Sequence, residues 1–270
     1  MIVSPHGGPH SVTPTSFLPS YAFLAATTGC VVCHVNYRGS IGFGKASLDS
    51  LPGNIGEQDV ADVVLAARTA LGLTTELEGT QRPLVDPDKV AVCGGSHGGF
   101  LGGHVIGQHP ELFKAGQPSP AAYTLITHSL AVSLVYHPQV AALRNPVTNI
   151  PAMVGSTDIP DWCHIEARGL GQFNFDSFTP ADPEALAEMW RRSPVAHLSK
   201  VKAPTLIAIG KKDLRVPASQ GVEFHHALRA AGVPSRLLQY PEDCHPIAIP
   251  ASEADHWINI AMWFSSHLQP

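Results

Sequence analysis

Apolar runs alternate with segments of helical spacing along most of this chain. Residues 1–4, 30–35, 89–93, 204–209 and 235–240 read as strands, all but the last short and nearly continuous apolar stretches. Residues 17–28, 56–70, 98–108, 219–231 and 252–267 read as helices. Two of these carry a clear face: Val60, Val63, Val64 and Ala67 in one, and Trp257, Ile260, Ala261 and Phe264 in the other. Strands that are apolar throughout are buried on both sides, and helices between them make neighbouring strands parallel. The pattern predicts an α/β fold with a mostly parallel sheet and helices on both faces. Residues 74–86 read as a polar loop, and residues 115–200 fit the rhythm poorly. No repeat, low-complexity tract or linker divides the chain, so 1–270 reads as a single domain.

Composition narrows the function classes. A net charge of -5 with only 17 lysines and arginines gives no footprint for nucleic acid or an anionic membrane. No apolar run reaches the roughly 18 residues of a spanning helix, and no signal peptide is visible. The five cysteines, an odd number, show no disulfide framework and point to a reducing compartment. Cys30-Val-Val-Cys33 has the spacing of a redox pair, but its apolar surroundings read as a strand carrying buried thiols. The 15 histidines form no metal-binding pattern, so no metal and no cofactor is expected.

The most specific signal is Val90-Ala-Val-Cys-Gly94-Gly95-Ser96-His97-Gly98-Gly99, a G-x-S-x-G between an apolar strand and a helix of small residues. A serine on such a sharp turn needs small neighbours two positions away. The turn lifts its hydroxyl above the sheet, and the helix that follows aims its first amides at a developing oxyanion. Ser96 is therefore the candidate nucleophile. A serine needs a base, and the base needs an orienting acid. Asp213 falls just past the strand 204–209, and His245 in the loop after 235–240, giving the order serine, acid, histidine. His225, His226, His256 and His267 lie within helices, and Asp243 is too close to His245 along the loop. Asp255 reads as a first-turn residue of the last helix, and the His97 side chain as lining the pocket. His6-Gly7-Gly8-Pro9, directly after the first strand, has the form of a second oxyanion donor turn.

These motifs together resemble the prolyl oligopeptidase family of serine peptidases. They are His6-Gly-Gly-Pro-His10, Asn36-Tyr-Arg-Gly-Ser40 and Gly94-Gly-Ser-His-Gly-Gly99. Arg144-Asn-Pro-Val147 and Gly155-Ser-Thr-Asp-Ile-Pro-Asp-Trp-Cys163 narrow the resemblance to its acylaminoacyl-peptidase branch. The resemblance implies an α/β-hydrolase catalytic domain in the cytoplasm. It implies release of an N-acylated amino acid from short acylated peptides, in a homo-oligomer. It carries the triad onto Ser96, Asp213 and His245, and the oxyanion donors onto the amides of Gly8 and His97. Arg192 falls near a position where relatives hold a substrate carbonyl; a solvated arginine at a helix end is the other reading. Three departures accompany it. No β-propeller precedes the domain, the early sheet strands are missing, and residues 117–140 have no counterpart. A general carboxylesterase uses the same machinery, and a truncated, non-catalytic isoform is the third reading.

Overall fold

The five predicted strands and a sixth that the pattern missed, Val140–Arg144, form a six-stranded sheet in the order Val32–Val35, Ile2–Pro5, Ala91–Gly95, Val140–Arg144, Thr205–Gly210, Ser235–Tyr240, with every pairing parallel. The computed structural model describes residues 1–77, 79–110, 140–177 and 180–268. The chain enters through β1 (Ile2–Pro5), α1 (Pro19–Thr28), β2 (Val32–Val35), a short α2 (Lys45–Asp49) and α3 (Gln58–Leu71). A hairpin of β3 (Thr74–Leu77) and β4 (Thr80–Pro83) leads to β5 (Ala91–Gly95) and α4 (His97–Gln108). Then come β6 (Val140–Arg144), α5 (Ile150–Met153), α6 (Pro160–Arg168) and α7 (Pro183–Arg191). The closing elements are β7 (Thr205–Gly210), α8 (Ser219–Ala230), β8 (Ser235–Tyr240) and α9 (Pro250–Leu268).

Side chains alternate across a strand, so one apolar run feeds two cores. Val3, Val92, Ala141, Leu143, Ile207 and Ile209 point into a cluster with α3, α4 and α8. Their neighbours Ile2, Ala91, Cys93, Ala142, Leu206 and Ala208 join α1 and α9 on the other side. The predicted helix faces are the buried ones: Val60, Val63, Val64 and Ala67 in α3, and Trp257, Ile260, Ala261 and Phe264 in α9. Helix α4 is buried from His97 to Gly107. Its glycines allow close packing: a Cβ on Gly102 would sit 2.6 Å from Leu143, and one on Gly103 3.0 Å from Pro194.

Several expectations need correction. Residues 74–86 contain an antiparallel hairpin, Thr74 opposite Pro83 and Leu77 opposite Thr80. Strand β4 is exposed throughout, so no apolar alternation announces it. Cys30 and Cys33 are half-buried rather than buried, because β2 is an edge strand and Cys30 precedes it. The segment 117–140 lies outside the described residues except for Val140, which opens β6 opposite Ala91. Asp255 lies beyond the first turn of α9 and accepts a hydrogen bond from the Tyr240 hydroxyl at 2.8 Å.

The two faces of α9 yield a test. Phe264 is fully buried, whereas Met262 is 60% exposed. Phe264→Ala is expected to cost about 3–5 kcal/mol and Met262→Ala about 0.5 kcal/mol or less, read from denaturant unfolding curves.

Candidate active site

The turn between β5 and α4 is held by contacts that only glycines permit. Ser96 has φ 58° and ψ -124°, a left-handed conformation that a non-glycine residue enters at a cost. A Cβ on Gly94 would lie 2.2 Å from the Gly98 carbonyl oxygen, and one on Gly98 would lie 2.3 Å from that of Pro5. The first and last letters of G-x-S-x-G are thus packed against each other and against the end of β1. The Ser96 amide donates to the Arg144 carbonyl at 2.9 Å, which ties the elbow to β6. Ser96 is half-buried, and its hydroxyl makes no hydrogen bond among the described residues.

Asp213 and His245 come together as the spacing predicted. The turn after β7 carries Asp213, and the loop after β8 carries His245. The His245 Nδ1–H donates to Asp213 Oδ2 at 2.6 Å. Asp213 Oδ1 accepts from the amides of Arg215 and Val216, each at 2.9 Å. The carboxylate therefore cannot turn away from the imidazole, and it fixes the tautomer that leaves Nε2 free to accept. The Asp213 side chain is fully buried and that of His245 is 26% exposed, so the carboxylate is inside and the imidazole faces outward.

One residue of this site escaped sequence reasoning as a participant. Asn145, just past β6, is buried with φ 40°. Its amide donates to the His245 carbonyl at 2.6 Å, and its side-chain oxygen accepts from the Gly210 amide at 2.9 Å. Asn145 thus laces the His245 loop to the ends of β6 and β7. A polar residue between an apolar strand and Pro146 was the available signal.

The glycine turn after β1 lies over the elbow. A Cβ on Gly7 would sit 3.3 Å from the Ser96 Cβ. The turn is braced from behind. The Tyr37 hydroxyl donates to the His6 carbonyl at 2.9 Å, and His6 Nε2 bonds Ser40 at 2.7 Å. The Trp162 indole N–H donates to the Gly8 carbonyl at 3.0 Å. Burial pushes the His6 pKa down. His10 moves the other way, raised chiefly by its hydrogen bond to Glu166 at 3.1 Å. The amide of His97 opens α4 and has no partner within the helix. Its side chain does not line an open pocket: the imidazole is fully buried, with Nε2 2.8 Å from the Asp59 carboxylate.

Arg192 ends α7 and is mostly buried. Its guanidinium pairs with Glu57 at 2.9 Å, and its carbonyl accepts from His104 at 3.0 Å. Those bonds run to α3 and α4 rather than to Ser96, Asp213 or His245.

A parallel sheet with a strained serine between strand and helix, and an acid–imidazole pair beyond two later strands, defines an α/β-hydrolase fold. The model of the prolyl oligopeptidase family matches residues 16–154 and 139–270, and the chain belongs to that family. It is 43% identical to acylamino-acid-releasing enzyme 1 of Oryza sativa subsp. japonica over 267 residues, which is 99% of this chain and 30% of that protein. It is 41% identical to the Homo sapiens acylamino-acid-releasing enzyme over 268 residues, covering 99% of this chain and 31% of the human one. The chain thus spans about a third of the length of these relatives. The acylaminoacyl peptidase of Pyrococcus horikoshii superposes with a TM-score of 0.77 at 21% identity, covering 99% of this chain and 37% of that one, a likeness of fold.

Two predictions follow from the packing around the site. A methyl group at Gly98 meets backbone that cannot yield, so Gly98→Ala is expected to cost about 1–3 kcal/mol. Gly155→Ala, where a Cβ meets nothing within 4 Å, is expected to keep the wild-type Tm. The raised pKa of His10 means that the folded state binds its proton more tightly than the unfolded chain. That contribution is full below the ordinary histidine value and fades as pH rises through the folded value. Wild type is therefore expected to exceed His10→Ala in Tm by more at pH 6 than at pH 8.

Proposed function

We propose that this chain is the hydrolase domain of a serine peptidase that removes an N-acylated amino acid from short acylated peptides. The observation that carries the reading is the 2.6 Å bond from His245 to a buried, doubly amide-bonded Asp213, in a fold that also presents Ser96 on a strained elbow. Ser96 attacks the scissile carbonyl while His245 Nε2 takes its proton. Asp213 keeps the imidazole oriented and stabilises the imidazolium. The amides of Gly8 and His97 stabilise the oxyanion. The imidazolium then protonates the departing amine, and water releases the acyl-enzyme by the same route in reverse.

The acyl-peptide specificity rests on the relatives, which are named as acylamino-acid-releasing enzymes at 41–43% identity. A cytoplasmic location is supported by the cysteines, all five of which are free thiols. A homo-oligomer belongs to the same reading. No helix among the described residues is long and apolar enough to cross a membrane. For Arg192, the ion pair with Glu57 favours a bracing role between α7 and α3 over a substrate contact.

A fluorophosphonate probe tests the reading. Purified protein is expected to be labelled on one site, with Ser96→Ala unlabelled, and to cleave acetyl-alanyl p-nitroanilide faster than a simple ester panel predicts. Folded wild-type protein that takes no label would defeat the peptidase reading; labelling with preference for plain esters would make it a carboxylesterase.

A further inference from the structure

In G-x-S-x-G the residue after serine contributes an amide, and the turn itself makes no demand on its side chain. Here that residue is His97, and its side chain is held with unusual thoroughness. The imidazole is fully buried, stacked on Phe100 at 4.8 Å between ring centroids and flanked by Tyr37 and Trp162, each at 5.8 Å. Its Nε2 meets Asp59 Oδ2 at 2.8 Å. Asp59 is also fully buried, and its other oxygen accepts the amides of Gly56 at 2.8 Å and Val60 at 2.9 Å. A carboxylate so engaged is an acceptor, so Nε2 carries the proton. Asp59 is thereby fixed to the first turn of α3, and His97 is fixed to Asp59.

As a stabilising device this arrangement is poor. It places a carboxylate and an imidazole in a dry interior, where desolvation offsets most of the attraction. It also leaves His97 Nδ1 buried without a hydrogen-bond partner among the described residues. Apolar side chains would fill the space better. What the pair does supply is position. The Cβ and the amide nitrogen of His97 share one tetrahedral carbon, so anchoring the ring restricts where the amide N–H points.

Resting on the peptidase reading above, we propose that Asp59 is a positioning residue. Through the His97 imidazole it holds the His97 amide at the angle the oxyanion requires. The lever is separate from the Asp213–His245 pair, which orients the base. It acts on the transition state and not on substrate binding, because the amide meets charge only when the tetrahedral oxyanion forms.

The test compares two ligands in Asp59→Asn and Asp59→Ala. N-acetyl-alaninal, an aldehyde, adds to the serine and places an oxyanion in the hole; N-acetyl-alaninol, a neutral alcohol of the same shape, binds without one. Active sites are counted by fluorophosphonate titration, so that loss of folded protein is not read as loss of rate. The proposal expects kcat to fall by about 10–100-fold, somewhat less than the roughly 100–1,000-fold loss when an oxyanion donor is removed outright. KM should stay within about 2-fold. The aldehyde Ki should rise in step with the loss of kcat/KM, while N-acetyl-alaninol binding stays unchanged. Folded, titratable variants with an unmoved aldehyde Ki overturn it, as do variants in which both ligands weaken equally. If neither Asp59 variant folds, His97→Ala removes the lever from its other end and is read by the same two ligands. Wild type that takes no fluorophosphonate defeats the peptidase reading itself; labelled wild type with an unmoved Ki in the variants defeats only the role of Asp59.

Discussion

The close approach of β1, β5 and α4 at the elbow governs the rest of this structure. Ser96 adopts a left-handed conformation that costs of order 1–3 kcal/mol and persists only where its surroundings over-determine it. Those surroundings are backbone. Gly94 meets the Gly98 carbonyl, Gly98 meets the Pro5 carbonyl, and the Ser96 amide is bonded to Arg144 on the next strand. Because these partners belong to three central strands, the strain can be relieved only by moving the middle of the sheet. The same contacts bring the turn after β1 over the serine, so the constraint that exposes the hydroxyl also sets the glycine turn beside it.

A second layer of polar bonds converts separate strand ends into one platform. Asn145 joins Gly210 to the His245 carbonyl, and so spans β6, β7 and the loop after β8. Gln220 of α8 does the same one step outward. Its side-chain oxygen accepts the amides of Thr148 and Asn149, and its nitrogen donates to the Asn149 carbonyl. Both residues are buried and extensively bonded, which makes them geometric fixtures rather than surface features. Asn145 bonds the His245 loop directly, while Gln220 ties the segment after β6 to the start of α8.

The amino-acid sequence disclosed the parts whose physics is local. Apolar runs marked β1, β5 and β7, since a strand buried on both faces has little room for a polar position, whereas β6 went unread inside the irregular stretch 115–200. The stripes of α3 and α9 named their buried residues correctly. The elbow was legible because Gly94 faces the Gly98 carbonyl within the same turn, which fixes the glycine spacing, and Asp213 and His245 because strand order places them. Cross-chain matters stayed hidden. The hairpin β3–β4 has no buried face to write a pattern, and the edge position of β2 depends on pairings no single strand encodes. Asn145 and Asp59 act through partners many residues away, so neither stood out against other polar residues. His97 read as a pocket residue because the carboxylate that draws it inward belongs to α3.

The histidines show how environment selects one base among many of the same kind. His104 is buried, donates to the Arg192 carbonyl and bonds Gln108, and burial pushes its pKa down to about 3. His256 lies against Arg144 and is pushed down to about 4 by burial. Both stay neutral and serve as hydrogen-bonded packing. His10 faces a carboxylate but keeps its other nitrogen on the Gly39 carbonyl, so neither side is open to a reactant. His97 faces a carboxylate as well, but the rest of its ring is sealed by aromatic neighbours. His245 combines a fixed carboxylate on Nδ1 with a partly exposed ring and an Nε2 that has no partner among the described residues. In the proposed mechanism a general base needs an oriented proton on one side and access on the other, and among the histidines of the described residues that combination falls to His245.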